Sequence, residues 1–161
     1  MSGIDSARYR QVLGHFATGV TVITADPIGH PPVGMTIGSF TSVSLDPPLV
    51  GFLPQKNSTT WPLIEEAGVF CVNILTLDQA ELCWRFAKES PDRFAGVDWR
   101  AAGSGSPILT ESLAWIDCTI ETVVDAGDHV FVIGRVTDLD AGDGDPMLFF
   151  RGKLGGFVQN A

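Results

Sequence analysis

The sequence predicts a mainly β, antiparallel barrel flanked by two or three lateral α-helices, and three observations carry that reading. About seven short β-rich runs recur along the 161 residues, separated by turns and too numerous for a helical bundle. In segment 113–124, Ala114, Ile116, Cys118 and Ile120 fall on one face and Trp115, Asp117, Thr119 and Glu121 on the other; that is the period of a half-covered antiparallel strand. The strand–helix alternation of a parallel sheet appears only around residues 49–75.

Taken in order, Tyr9, Val12, Leu13 and Phe16 stand at i, i+3, i+4 and i+7 behind a possible N-cap at Asp5 or Ser6, which predicts an amphipathic helix from Asp5 to Phe16. Gly19 ends it, GVTVITA (19–25) is a strand and DPIGHPP (26–32) a turn. Strands are expected at 33–37, 39–45, 48–53 and 69–75. STTWPLIEEAG (58–68) has Pro62 near its first turn and Gly68 at its stop, the usual asymmetry of helix ends. DQAELCWRFAKE (78–89) opens on Asp78 and Glu81 as a D-x-x-E cap and would bury Leu82 and Phe86. A Gly- and Ser-rich connection, AAGSGSP (101–107), leads to strands at 113–124, 129–139 and 146–152. No repeat, heptad or low-complexity block interrupts the chain, so residues 1–161 are expected to form one domain.

Composition narrows the function classes. Hydrophobic residues at 45% and charged ones at 18% exclude disorder. No apolar run approaches the ~20 residues of a spanning helix, so a soluble protein is expected, and MSGIDSARYRQ lacks the apolar core of a secretory leader. Cys71, Cys83 and Cys118 are odd in number, lie in apolar stretches and lack metal-ligand spacing; buried, reduced thiols and a cytoplasmic address follow. A formal net charge of −9 argues against nucleic acid or an anionic membrane as partner. An anionic small molecule remains possible where cations or free N–H groups concentrate.

Several motifs are absent. There is no G-x-G-x-x-G and no Walker loop, and GSGSP (103–107) places Gly105 where a nucleophilic Ser would stand. DLDAGDGD (138–145) departs from a calcium loop at Gly142 and Phe149 and reads as a polar hairpin turn.

Three segments carry candidate chemistry. GMTIGSFTSVSLDPPLVGFL (34–53) is extended yet crowded with Thr36, Ser39, Thr41, Ser42 and Ser44. Alternating backbone N–H and C=O groups beside short hydroxyls suit a flavin, with its polar ring edge, ribityl chain and phosphate; the plainer reading is the exposed face of a sheet. QKNSTTWP (55–62) offers Lys56, Asn57, Ser58 and Thr59 where a helix begins, which is phosphate-binding ground or ordinary capping by Ser58 or Thr60. In AGDHVFVIGRV (126–136), His129 follows a Gly-Asp turn, as a contact to a charged ring or as a structural histidine. Arg151, in FFRG, is either an anion contact or a solvated surface group.

In this order the segments resemble the short-chain flavin reductases, the reductase components of two-component flavin-dependent monooxygenases. LGHFATGVTVITA is similar to that family's opening helix and strand, and GMTIGSFTSVSLDPPLV to its flavin-binding stretch. KNSTTWPLI, VNIL, LCWRFAKESPDRFAG, AGDHVFVIGRV and MLFFRGKLGGF also fit. The resemblance implies a Greek-key split barrel, a homodimer with flavin near the subunit interface, hydride transfer from NADH to FAD or FMN, and delivery of reduced flavin to a separate monooxygenase. It implies that Gly34, Met35, Thr36, Ser39, Phe40, Thr41 and Ser42 meet the ring and ribityl chain. Lys56, Asn57, Ser58 and Thr59 would meet phosphate, and Arg93 a diphosphate or adenine if the flavin is FAD. His129 would contact the nicotinamide nucleotide, bordered by Phe149, Phe150, Arg151 and Gly152. Where many relatives carry a Tyr after the last F-x-G, this chain reads GKLGGF, which bears on packing over the nicotinamide. No protein acid, base or nucleophile is assigned, because the cofactor carries the reactivity. The competing readings are a non-enzymatic flavin carrier and a split-barrel oxidase that keeps its FMN.

Overall fold

The computed structural model describes residues 3–161. Helix α1 (Ser6–Leu13) starts where Asp5 accepts a hydrogen bond from the Arg8 N–H at 3.2 Å. It stops at Gly14, short of the expected Phe16, and none of its residues is buried. Its apolar stripe is real but uncovered within the chain: Tyr9, Val12 and Leu13 are all exposed.

Strands follow as β1 (Thr18–Gly19), β2 (Thr21–Ala25), β3 (Val33–Ile37), β4 (Thr41–Ser44) and β5 (Leu49–Phe52). After α2 (Trp61–Ala67) and β6 (Val69–Ile74), a 3₁₀ turn at Leu77–Gln79 runs into α3 (Ala80–Ala87). The short strands β7 (Trp99–Ala101) and β8 (Pro107–Leu109) precede the long hairpin β9 (Ala114–Ala126) and β10 (His129–Ala141), and β11 (Leu148–Phe150) and β12 (Lys153–Gly155) close the chain. Seven strands form the main sheet in the order β3-β2-β6-β9-β10-β5-β4, each neighbouring pair antiparallel.

That order curls the sheet. Its two edges, β3 and β4, are consecutive in the chain and joined only by Gly38, Ser39 and Phe40. Such a link reaches roughly 14 Å, whereas the edges of a flat seven-stranded sheet stand about 29 Å apart. The sheet therefore closes on itself yet leaves β3 and β4 unpaired, which is a barrel with a split. Inside lie Ile23, Val72 and Val132, with Phe52 edge-on to Phe70 at 5.0 Å and to Trp61 at 6.1 Å. A second cluster, Val22, Leu75, Cys83, Phe86, Leu109 and Met147, forms where α3 packs outside the barrel.

Several local expectations change. AAGSGSP is the tip of the β7–β8 hairpin, too short on either side to show a period. Its Ser104 donates from N at 2.9 Å and from Oγ at 2.6 Å to Asp117, which is why Asp117 is buried on the face expected to meet solvent. The cap leading to α3 is Thr76 with Gln79, whose Oε1 accepts from the Thr76 N–H at 2.9 Å; the D-x-x-E pair lies two residues later. Segment 138–145 is half strand, since β10 runs to Ala141. By contrast Gly68 ends α2 at φ 71°, and Gly127 opens the two-residue β9–β10 turn at φ 71°, the position where a type II′ turn wants glycine.

All three cysteines are free and buried. Burial pushes the Cys71 thiol up to about 12, with the Asp117 charge adding to it, and raises Cys83 and Cys118 as well. Thiolate is the reactive form, so native protein at pH 8 is expected to resist Ellman's reagent over an hour, and guanidinium to release three reactive thiols. Labelling of the native protein within minutes would contradict this packing.

Candidate functional site

A cleft of about 1090 Å³ opens at the split in the barrel. One wall is the outer edge of β3. The Gly34 carbonyl points away from β2, accepting from Arg93 Nη1 at 2.8 Å, whereas the Ile37 carbonyl faces β2 and accepts from Thr21. Backbone direction alternates along a strand, so the N–H and C=O of Thr36 also point outward, unpaired by any strand. This is the edge that a planar ring with alternating donors and acceptors can meet.

The second wall is the segment from Leu53 to Thr60. Ser58 Oγ accepts from the N–H groups of Thr60 and Trp61 at 3.1 Å each. It therefore caps α2 as an acceptor and keeps its own proton to donate. The third is the β9–β10 turn. Gln55 bridges to His129, Lys56 N donates to Asp128 O at 2.9 Å and Val130 N to Pro54 O at 3.1 Å. These bonds clamp the turn to the segment before Ser58, and so bring His129 to the cleft. His129 Nδ1 lies 2.7 Å from Asp128 Oδ1. That contact holds the Asp128 carboxyl below the usual carboxylate range, so the pair persists at neutral pH and is lost only as acid takes the pH through the lowered value. With Nδ1 bonded to Asp128, Nε2 of a neutral ring is left as an acceptor.

Arg93 is half-buried between the walls. Its Nη1 also donates to Thr60 Oγ1 at 3.1 Å, and its Nε–H is buried without a partner. Burial lowers its pKa, opposed by the nearby Glu89. An orphaned guanidinium N–H beside donors at Ser58 fits a phosphate-bearing ligand.

Of the residues singled out from sequence, Met35, Thr36, Ser39, Asn57, Ser58, Arg93 and His129 line this cleft. The others lie elsewhere. Gly34 and Thr59 line an adjoining hollow; a Cβ at Gly34 would sit 2.8 Å from the Phe86 ring, so this glycine admits α3. Phe40 packs on the core, and Thr41 and Ser42 are exposed on β4. Lys56 is ion-paired with Asp125. Phe149, Phe150, Arg151 and Gly152 lie on and after β11, in a separate three-stranded sheet with β1 and β12. Two hydroxyls of the Ser/Thr-rich stretch also hold the fold: Thr36 Oγ1 donates to Cys83 O at 2.6 Å, and Ser39 Oγ accepts from Leu53 N at 3.0 Å. Sequence reasoning missed Tyr9 and Arg10 of α1, and Gln55, Thr60 and Glu89. Only the helix amphipathicity could have hinted at the first two.

An antiparallel split barrel with a backbone edge, a capped helix start and a histidine turn around one cleft has the parts that a small flavin-binding protein needs. Comparison with known proteins carries this further. The family described as "Flavin reductase like domain" matches residues 13–157. A flavin reductase of Pseudomonas putida is 51% identical over 159 residues, covering 98% of this chain and 93% of that protein. The flavin-dependent monooxygenase reductase subunit HsaB of Rhodococcus jostii strain RHA1 is 51% identical over 154 residues, 95% of this chain and 78% of that one. Among solved structures, a nitrilotriacetate monooxygenase component B homologue from Mycobacterium thermoresistibile superposes with a TM-score of 0.92 at 48% identity, covering 98% of this chain and 89% of its own. The NADH:FAD oxidoreductase SgcE6 of Streptomyces globisporus C-1027, in complex with NAD and FAD fragments, gives 0.92 at 35% identity, covering 98% and 95%. The chain belongs to the flavin reductase family: it is a split-barrel enzyme that reduces flavin, as the resemblance of its motifs implied.

Proposed function

We propose that this chain is an NADH-dependent FAD reductase whose reduced flavin is released to a separate monooxygenase. The observation that carries the site assignment is the convergence of the free β3 edge, the Ser58 cap and His129 on one cleft. The bound flavin supplies the redox chemistry; the protein aligns the partners and excludes water. In this assignment the Thr36 backbone and the Met35–Ser39 segment hold the ring edge, Asn57 and Ser58 the phosphate, and Arg93 a diphosphate. Lys56 joins the phosphate only by leaving Asp125. His129 Nε2 accepts from a carboxamide N–H₂ of the nicotinamide.

A homodimer covers the exposed stripe of α1. Phe149 and Phe150 are exposed, as is Phe157 beyond β12, and an apolar surface of this kind marks an interface. Phe149 to Gly152 would then border a nicotinamide site completed across the dimer. The family match over 13–157 supports treating 1–161 as one domain. No described helix is long and apolar enough to cross a membrane, and three free thiols suit a reducing cytoplasm.

Mixing protein, FAD and NADH and following the near-ultraviolet absorbance of the nucleotide tests the reading. Catalytic turnover supports it, while slow stoichiometric oxidation favours a carrier and a persistently yellow protein an oxidase. His129→Ala is expected to raise the KM for NADH about tenfold, the loss of one hydrogen bond, and to move the flavin KM less than threefold. An unchanged nucleotide KM and kcat would remove His129 from the site.

A further inference from the structure

The cleft that suits an anionic ligand is also lined by two acidic residues, Asp128 and Glu89. Asp128 is bonded to His129 Nδ1 at 2.7 Å. Glu89 has no cationic partner: none of the ion pairs among the described residues includes it or Arg93. It stands two residues beyond Ala87, the last residue of α3, where the helix dipole favours a cation. Local structure therefore gives no reason for an acid at this position. What Glu89 does touch is the phosphate-binding ground itself. Its Oε1 accepts from Thr59 Oγ1 at 3.3 Å, which takes up a hydroxyl expected to meet phosphate. Its charge also raises the pKa of Arg93 against the effect of burial. One carboxylate thus stands against both a donor and the half-buried guanidinium that a phosphate would use.

We propose that Glu89 sets the flavin affinity: its carboxylate competes with the ligand's phosphate for Thr59 and Arg93, and so keeps the flavin dissociable. The inference rests on the flavin reading of the cleft and deepens it. Charge-assisted hydrogen bonds to phosphate are strong, and a site built of such donors alone would retain its ligand. An enzyme that hands reduced flavin to another protein has to let it go, and release of product limits many turnovers. A like charge beside the phosphate weakens binding without removing a donor, and it acts through a Coulomb interaction that salt screens. A flavin without phosphate does not feel it.

Dissociation constants for FAD, FMN and riboflavin are measured by flavin fluorescence, at about 20 mM and about 500 mM salt, for the wild type, Glu89→Gln and Glu89→Asp. Glutamine has the same shape and can still accept from Thr59, so only the charge is lost. At low salt Glu89→Gln is expected to bind FAD and FMN about fivefold or more tightly than the wild type, and riboflavin within about twofold. At high salt the gain should shrink below about twofold. Glu89→Asp, which keeps the charge, should stay within about twofold of wild type throughout. A gain confined to FAD places the competition at its diphosphate and likewise supports the proposal. FAD and FMN affinities both unchanged or weakened in Glu89→Gln overturn it and leave the flavin cleft standing. An equal gain for riboflavin, or an equal gain in Glu89→Asp, overturns it in the same way. Failure of all three flavins to bind the wild type overturns the flavin reading and this inference with it. Should Glu89→Gln not fold, Glu89→Ala on this exposed position gives the same readouts, with the same gain expected and its absence overturning the proposal.

Discussion

Arg93→Leu is expected to weaken flavin binding about thirty- to a hundredfold. The guanidinium ties Gly34 O at 2.8 Å to Thr60 Oγ1 at 3.1 Å, so it fixes the β3 edge against the start of α2, the two walls of the cleft. Hydrogen bonds from a charged donor contribute roughly 1.5–3 kcal/mol each, and a loss near 2.5 kcal/mol is about seventyfold in affinity. The same change strands the Gly34 carbonyl, so the unfolding free energy from urea titration should fall by about 1–2 kcal/mol. Arg93→Lys keeps the charge but replaces a fork by a point donor, and an intermediate loss of about tenfold is expected. Fluorescence titration with FAD measures all three proteins. A leucine variant that binds within threefold of wild type would place the ligand away from this guanidinium.

Gly134→Ala should be strongly destabilising. A Cβ there would lie 2.5 Å from Cζ of Phe70 and 3.1 Å from Cβ of Cys118. Phe70 is wholly buried and pinned edge-on by Phe52 at 5.0 Å, so it cannot swing aside. Overpacking of this kind costs about 1–3 kcal/mol, and at the upper end the melting temperature should fall by about 6–10 °C. Thermal denaturation followed by circular dichroism reads it. A variant melting within about 1 °C of wild type would mean that the Phe70 ring does not lie as close to Gly134 as described.

The parts of this fold legible in the sequence are those written in local chemistry. β3 is recovered to the residue because a turn precedes it and glycine follows it, and the β9–β10 turn announces itself by Gly127. β7 and β8, three residues each, carry too few positions for a period and exist because Asn73 ties them in, its Oδ1 accepting from the Leu109 N–H at 2.8 Å. The α1 stripe was correctly periodic, yet periodicity predicts a face and not what covers it.

The candidate site divides in the same way. Thr36 and Ser58 stand out as donors in the sequence, Arg93 follows only from the resemblance, and all three reach the cleft. What the residues could not say is which donors the fold would consume, as with Thr36 on Cys83 O and Lys56 on Asp125. Nor does local pattern show that Gln55 pairs with His129 across the sheet, which is the contact that makes one site of two distant segments.

The central claim, that the cleft between β3 and the start of α2 holds the flavin, is tested most directly by a crystal structure of the protein grown with FAD. The account predicts isoalloxazine density along Met35–Ser39 with phosphate at Asn57 and Ser58. Flavin density against the β11–β12 hairpin, with the cleft filled only by solvent, would contradict it.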